Sequence, residues 1–109
     1  MDFELTEAQQ ALADAVTKLC SPFDAAYWRK CDQEGQFPEA FVQAVAEGGW
    51  LGIAMPEAYG GSGQGITEAA LFAHAVARSG AGMSGASAVH INLFGPHPVV
   101  VFGTEAQKE

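Results

Sequence analysis

Three groups of residues in this sequence have types and spacings that could do chemistry. The first is Gly60-Gly61-Ser62-Gly63-Gln64-Gly65, followed by Thr67. Glycines so spaced ahead of a hydroxyl are the raw material of a phosphate cradle, but Ile66 stands where the cradle needs its lysine. A dinucleotide loop fails as well, because Ile66 occupies the place of the third glycine after Gly61 and Gly63. The run is therefore expected to be structural. The second group is His74, His90 and His97 with Cys20 and Cys31. Gly95-Pro96 separates His90 from His97 and breaks the helical face that a metal pair would need, so no metal site is expected. The third is Ser62 and the carboxylates. Ser62 lacks the strand and elbow of a hydrolase nucleophile, and the acidic residues are scattered singly on solvent faces.

These residues must be positioned by helices. Thr6 and Gln9 form a capping box ahead of Ala8, Leu12, Ala15, Val16 and Leu19, which repeat at helical spacing up to Ser21-Pro22. Ser21 and Pro22 are read as the cap and first residue of a second helix, whose Phe23, Ala26 and Tyr27 share a face. Pro38 opens a third helix through Glu47, with Phe41, Val42, Val45 and Ala46 inward and Gly48-Gly49 as its stop. A glycine-rich stretch with the anchors Trp50, Leu51, Ile53, Met55 and Tyr59 follows; anchors and glycines together indicate an irregular loop pinned onto a core. Thr67 is read as the cap of a fourth helix to Ser79, apolar all round except His74 and hence expected to be buried on every side. A fifth runs from about Met83 to Phe94, a short turn spans Pro98 to Phe102, and Thr104 to Gln107 is a second capping box.

The pattern is all-α, an orthogonal or up-and-down bundle of about five helices around a Gly-rich irregular loop. The chain of 109 residues is expected to be one domain, 1–109, with enough apolar residues (49%) for one core. Net charge is −8 with five basic residues, which excludes a nucleic-acid backbone as partner. No basic segment with an apolar run opens the chain, and its two isolated cysteines read as reduced thiols of a cytoplasmic protein.

From Ser79 to Thr104, 26 residues pass without a formal charge. Glycine, proline, histidine and asparagine interrupt the stretch too often for a membrane span. A small domain cannot bury both this stretch and the fourth helix, so the uncharged face is expected to meet a second domain, a subunit or a ligand. Ala86, His90, Leu93, Phe94 and His97 recur along it at three- and four-residue steps. They read either as a core stripe or as a pocket wall, small residues at one end leaving room and aromatics closing the other.

In order, Leu5-Thr6-Glu7-Ala8-Gln9, Gly35-Gln36-Phe37-Pro38, Gly49-Trp50-Leu51-Gly52-Ile53, Pro56-Glu57-Ala58-Tyr59-Gly60-Gly61-Ser62-Gly63 and Phe102-Gly103-Thr104-Glu105-Ala106-Gln107-Lys108 cover nearly the whole chain. This succession resembles the N-terminal helical domain of flavin-dependent acyl-CoA dehydrogenases. The resemblance implies an FAD-dependent oxidoreductase of fatty acid metabolism, acting on an acyl-CoA substrate and working as a homo-oligomer. It also implies a middle β-domain and a C-terminal helical domain, absent from this chain, which hold most FAD contacts and the catalytic carboxylate. On that basis no catalytic residue is expected here, FAD is not held by this chain alone, and the isolated chain is inactive. By position, Ala86, His90, Leu93 and Phe94 match the family's helix beside the acyl pocket. The alternative is a non-enzymatic interaction module that keeps the fold and binds another protein through the 79–104 face.

Overall fold

A computed structural model describes residues 2–109, and every regular element among them is helical. Five main helices form the body: α1 (Glu7–Cys20), α2 (Ala25–Glu34), α3 (Glu39–Glu47), α4 (Ile66–Val76) and α5 (Gly82–Phe94). Two short ones follow, α6 (His97–Phe102) and α7 (Glu105–Lys108). The all-α bundle and its irregular loop are as the sequence pattern requires.

Local signals set most boundaries. The Thr6 hydroxyl accepts from the Gln9 N–H at 3.2 Å while the Gln9 side chain accepts from the Thr6 N–H at 3.1 Å, so the capping box at α1 is complete. At α2 the cap is Asp24, not Ser21: its carboxylate accepts from the Tyr27 N–H at 2.9 Å. Ser21 instead stays in the last turn of α1 and its hydroxyl donates to the Lys18 carbonyl at 2.8 Å. The register of α2 shifts with the cap, so Trp28 turns inward and Ala26 is exposed. Glu47, acidic at the end of α3, receives the Gln43 amide one turn earlier at 2.9 Å.

The cap of α4 also differs from Thr67. Gly65 precedes the helix in extended conformation, and the Glu68 carboxylate accepts from its N–H at 3.1 Å. The far end is not a plain glycine stop. Regular α-helix ends at Val76, and a wide π-type turn, Ala77–Ala81, carries the chain into α5. The Ser79 hydroxyl donates to the Val76 carbonyl at 2.6 Å, and Gly80 adopts φ +100°, a conformation costly for any residue with a Cβ. At the other break, the short turn expected from Pro98 to Phe102 is present as part of α6.

One core holds the body together. Val16 and Cys20 of α1, Trp28 of α2, Phe41 and Val45 of α3, Ile53 of the loop, Ala69, Phe72 and Val76 of α4, and Val89 and Leu93 of α5 are buried. Full burial of a side chain such as Phe41 or Phe72 contributes roughly 1.5–3 kcal/mol. Phe41 takes two edge-on partners, Phe23 at 5.4 Å and Trp28 at 5.0 Å between ring centroids. Both cysteines are free; burial raises the Cys20 thiol pKa, partly offset by a hydrogen bond to Ser79. The fourth helix is not buried on every side: α1 and α5 pack against it, but Ala70 and His74 remain exposed. Its alanines match a close helix approach on one side and leave the other side to solvent.

The chain is more open than its mass requires. Its accessible surface is 7167 Å², whereas a compact monomer of its size exposes about 5,800 Å². The radius of gyration is 14.7 Å, against about 13 Å for a compact chain of this length. The excess of roughly 1,400 Å² exceeds the ~800 Å² that one partner gives to an ordinary interface.

The tightest backbone approach is at Gly61, where an added Cβ would lie 2.2 Å from the Met55 carbonyl oxygen. Gly60 has open space but φ +86°. Gly61→Ala is expected to destabilise the fold by about 2–4 kcal/mol, because backbone must move, and Gly60→Ala by about 1 kcal/mol. Urea unfolding followed by tryptophan fluorescence distinguishes the two; equal losses would refute the steric assignment.

Candidate functional site

The glycine-rich stretch is a closed structure built from its own backbone. Short 3-10 turns, Trp50–Gly52 and Glu57–Tyr59, form its two arms. From Tyr59 to Gly65 every N–H is committed. Tyr59 and Gly61 donate to the Pro56 carbonyl, Gly60 to Glu57, Ser62 to Gly52 at 2.9 Å, Gly63 to Met55 at 2.8 Å and Gln64 to Ile53 at 2.9 Å, while Gly65 donates to the Glu68 carboxylate. A phosphate cradle needs exactly these donors free and aimed at the anion. Here they are satisfied internally, and a carboxylate sits at the start of α4. The loop cannot serve as a phosphate site, in agreement with the missing lysine at Ile66.

What the loop does is hold aromatic and polar anchors. The Trp50 ring stacks on Phe72 of α4, with 5.5 Å between centroids and 10° between planes. Ile53 is buried in the core. Glu68 also accepts from the Gln9 side-chain amide at 3.1 Å, tying the start of α4 to the start of α1. These two hydrogen bonds, with the helix's own backbone, hold the Glu68 carboxyl below the usual carboxylate range, the Gln9 bond contributing most. Beside this joint lies a pocket of about 380 Å³, walled by Leu12, Trp50, Ile53, Ser62 and Gln64 among others.

The row expected to wall a substrate pocket lies on α5 and splits by depth. Gly85, Val89 and Leu93 form the inward row; Leu93 is part of the core. Ala86 and Phe94 are half-buried and His90 is exposed, one helical turn apart on the adjacent row. The His90 and Phe94 rings are 5.5 Å apart and tilted. The structure thus keeps Ala86, His90 and Phe94 on one row, exposed at His90 and resting on the core at Phe94, and turns Leu93 away from it. His97 is exposed on α6, past the break at Gly95-Pro96, and does not continue the row.

The rest of α5 and α6 accounts for the uncharged stretch. Met83 is 80% exposed, Ile91 67% and Phe102 86%, with Val99 and Val101 also exposed. No single lone apolar side chain of this kind needs explanation, but five in a stretch without a formal charge do. Among the described residues no three His, Cys, Asp or Glu side chains gather as a metal site, and no helix is long and apolar enough to cross a membrane.

Two joints escaped the sequence reading. Gln9 and Glu68 bond across 59 positions, and the Tyr59 hydroxyl donates to the Glu105 carboxylate across 46. Glu68 at the third helical position after Gly65 was a readable cap signal. Tyr59, expected to anchor the loop on the core, is instead exposed, and nothing in the sequence pointed its hydroxyl to Glu105.

Compared with protein-family models, residues 6–109 match the acyl-CoA dehydrogenase N-terminal domain. A probable acyl-CoA dehydrogenase of Bacillus subtilis, YngJ, is 37% identical over 111 aligned positions, covering 100% of this chain and 28% of that protein. Benzylmalonyl-CoA dehydrogenase of Aromatoleum aromaticum is 35% identical over 82% of this chain and 24% of its own length. The NADH-dependent acryloyl-CoA reductase of Anaerotignum propionicum is 34% identical over 100% of this chain and 27% of its own. The chain therefore matches about a quarter of the length of these relatives. No solved structure gives a significant match.

The Glu68 joint has a pH signature. Its carboxyl is lowered from 4.5 in the fold, so it contributes stability above the unfolded value that is lost as pH falls through the lower folded value. Glu68→Gln is expected to flatten the acid limb of stability below pH 4.5 while leaving the far-ultraviolet spectrum unchanged. Chemical unfolding at pH 7 and pH 3 checks this; an equal acid loss in both proteins would remove Glu68 as a contributor.

Proposed function

The chain belongs to the family of acyl-CoA dehydrogenase N-terminal domains, and we propose from that premise that α5 supplies one wall of an acyl pocket in a flavin-dependent acyl-CoA dehydrogenase. On this reading the substrate is an acyl-CoA thioester desaturated between its α and β carbons. FAD, held by the rest of the enzyme, would supply the redox chemistry for that reaction. The residues present do not fit the flavin's phosphates, because every N–H from Tyr59 to Gly65 is committed within the fold and Glu68 closes the start of α4. The work of this chain, 1–109, is then to shape the acyl pocket and to pack against further domains of a cytoplasmic homo-oligomer.

The observation that carries the reading is the half-exposed row Ala86, His90 and Phe94 on a helix whose inward row is core. It lies in the 26-residue stretch without a formal charge, on a chain of net charge −8. A surface cleared of charge in this way suits contact with an apolar acyl group and with apolar protein. The excess surface of the chain supports the second of these contacts. Its relatives are named for substrates as different as benzylmalonyl-CoA and acryloyl-CoA. His90 gives the row one polar group, suited to an acyl part other than a plain fatty chain.

The purified 109-residue chain is expected to show no flavin spectrum and to reduce no dye with acyl-CoA thioesters. A chimera with this chain in place of the matched segment of YngJ is expected to bind flavin and turn over. Within it, His90→Leu should shift the ratio of kcat/KM between polar and plain acyl chains by about tenfold, the scale of one pocket contact. Turnover by the isolated chain would overturn the assignment of its role. A His90→Leu chimera with an unchanged ratio would overturn the placement of His90 in the pocket.

A further inference from the structure

The last fourteen residues are attached to the body in an unusual way. Pro96 has no N–H, and no backbone hydrogen bond among the described residues crosses from α5 into α6 beyond the Gly95 N–H, which donates to Ile91 at 3.0 Å. The hydrogen bonds of α6 and α7 are internal: Val99 and Val100 donate to Pro96, Gly103 to Val99, and Gln107 and Lys108 to Thr104. At the start of α7 the Thr104 N–H donates to the Gln107 side chain at 2.9 Å, and the Gln107 N–H returns to the Thr104 carbonyl at 3.0 Å. The two short helices pack on each other. Between them and the glycine loop lies a gap of about 220 Å³, with Met55 and Pro56 on one side and Val99 and Val100 on the other.

One hydrogen bond spans that gap. Among the described residues, the Tyr59 hydroxyl to the Glu105 carboxylate is the only hydrogen bond joining residues 96–109 to the rest of the fold. Tyr59 sits at the end of the second 3-10 turn, directly before Gly60 at φ +86°, so the closed loop fixes the position of its ring. Glu105 is the first residue of α7 and is also held by Lys108 at 3.5 Å. The tyrosine pKa is raised and the carboxyl pKa lowered, in each case chiefly by this bond. Both groups are solvent-exposed, so the bond fixes a direction more than it stabilises the fold.

We propose that residues 96–109 are a strap, hinged at Gly95-Pro96 and latched to the glycine loop by Tyr59 and Glu105, which moves as a unit when the latch is broken while the α1–α5 body stays folded. The latch sets the direction in which the exposed Val101 and Phe102 side chains face. Two sequence stretches that look independent, Pro56 to Gly61 and Phe102 to Lys108, become the two halves of one joint. The inference rests on the packing of these elements and stands whether or not α5 walls an acyl pocket.

Hydrogen exchange read by mass spectrometry on the full chain tests it. Tyr59→Phe and Glu105→Ala are each expected to speed exchange of the α6 amides several-fold and to leave α1, α3 and α4 unchanged. The double variant should exchange no faster than the faster single, because both remove the same bond. Glu105→Gln, which keeps an acceptor, should fall between wild type and Glu105→Ala. Unchanged α6 exchange in Tyr59→Phe would overturn the latch. Additive effects in the double variant would show that the two residues act separately, and equal acceleration throughout the body would show that there is no separate strap; each result would sink the proposal.

Discussion

The closure of the backbone between Gly52 and Gly65 is the constraint on which the rest of the structure depends. Ser62, Gly63 and Gln64 return their N–H groups to the carbonyls of Gly52, Met55 and Ile53, so the chain doubles back within a few residues. That return is possible only because Gly61 passes against the Met55 carbonyl with no side chain in the way. The closed loop then presents Ile53 and Trp50 to the core and delivers the chain to α4 at a fixed point. Helix α4 in turn organises the body, with α1 along one side and α5 returning from the wide turn at its end. A looser loop would leave Phe72 without its stacked partner and α4 without its cap.

The same closure explains why a glycine-rich loop can be an anion site in one protein and purely structural in another. The difference lies in where the N–H vectors go. In an anion site they converge outward on a ligand, and the helix that follows leaves its first turn open. Here they turn inward, and Glu68 occupies the start of the helix with its own negative charge. Glycine content alone does not distinguish the two cases. The lysine missing at Ile66 argues against an anion site from the sequence, and the physical reason appears when the donors from Tyr59 to Gly65 are assigned their partners.

The legibility of the chain follows the range of the forces involved. Thr6 with Gln9, the Gly48-Gly49 stop and the Thr104 box act within one helical turn, and these were readable. Asp24 and Gly65 were missed as caps because Ser21 and Thr67 offered equally good local chemistry, and tertiary packing of Trp28 and the closed loop selected between them. Apolar composition suggested that α4 is buried all round, yet composition does not say how many neighbours a helix has; Ala70 and His74 face solvent. The row on α5 was legible as a spacing. Its division into an inward Leu93 and an outward His90 was not, since a stripe of mixed residues has no sign until a neighbour fixes which side is in.

Charge and surface point to one conclusion about how such a chain is used. A small body with net charge −8 has concentrated its carboxylates elsewhere and left one stretch of 26 residues neutral. On that stretch it exposes Met83, Ile91 and Phe102. Water makes such exposure unfavourable by roughly 25 cal/mol for each square ångström, and the core gains nothing in return from side chains that point outward. On the proposed reading, that surface answers to what it meets rather than to how the chain folds. The pairing of an over-large surface with an internally satisfied loop separates two tasks within 109 residues. The loop holds the fold through its own backbone, and the neutral helices α5 and α6 carry the exposed apolar side chains.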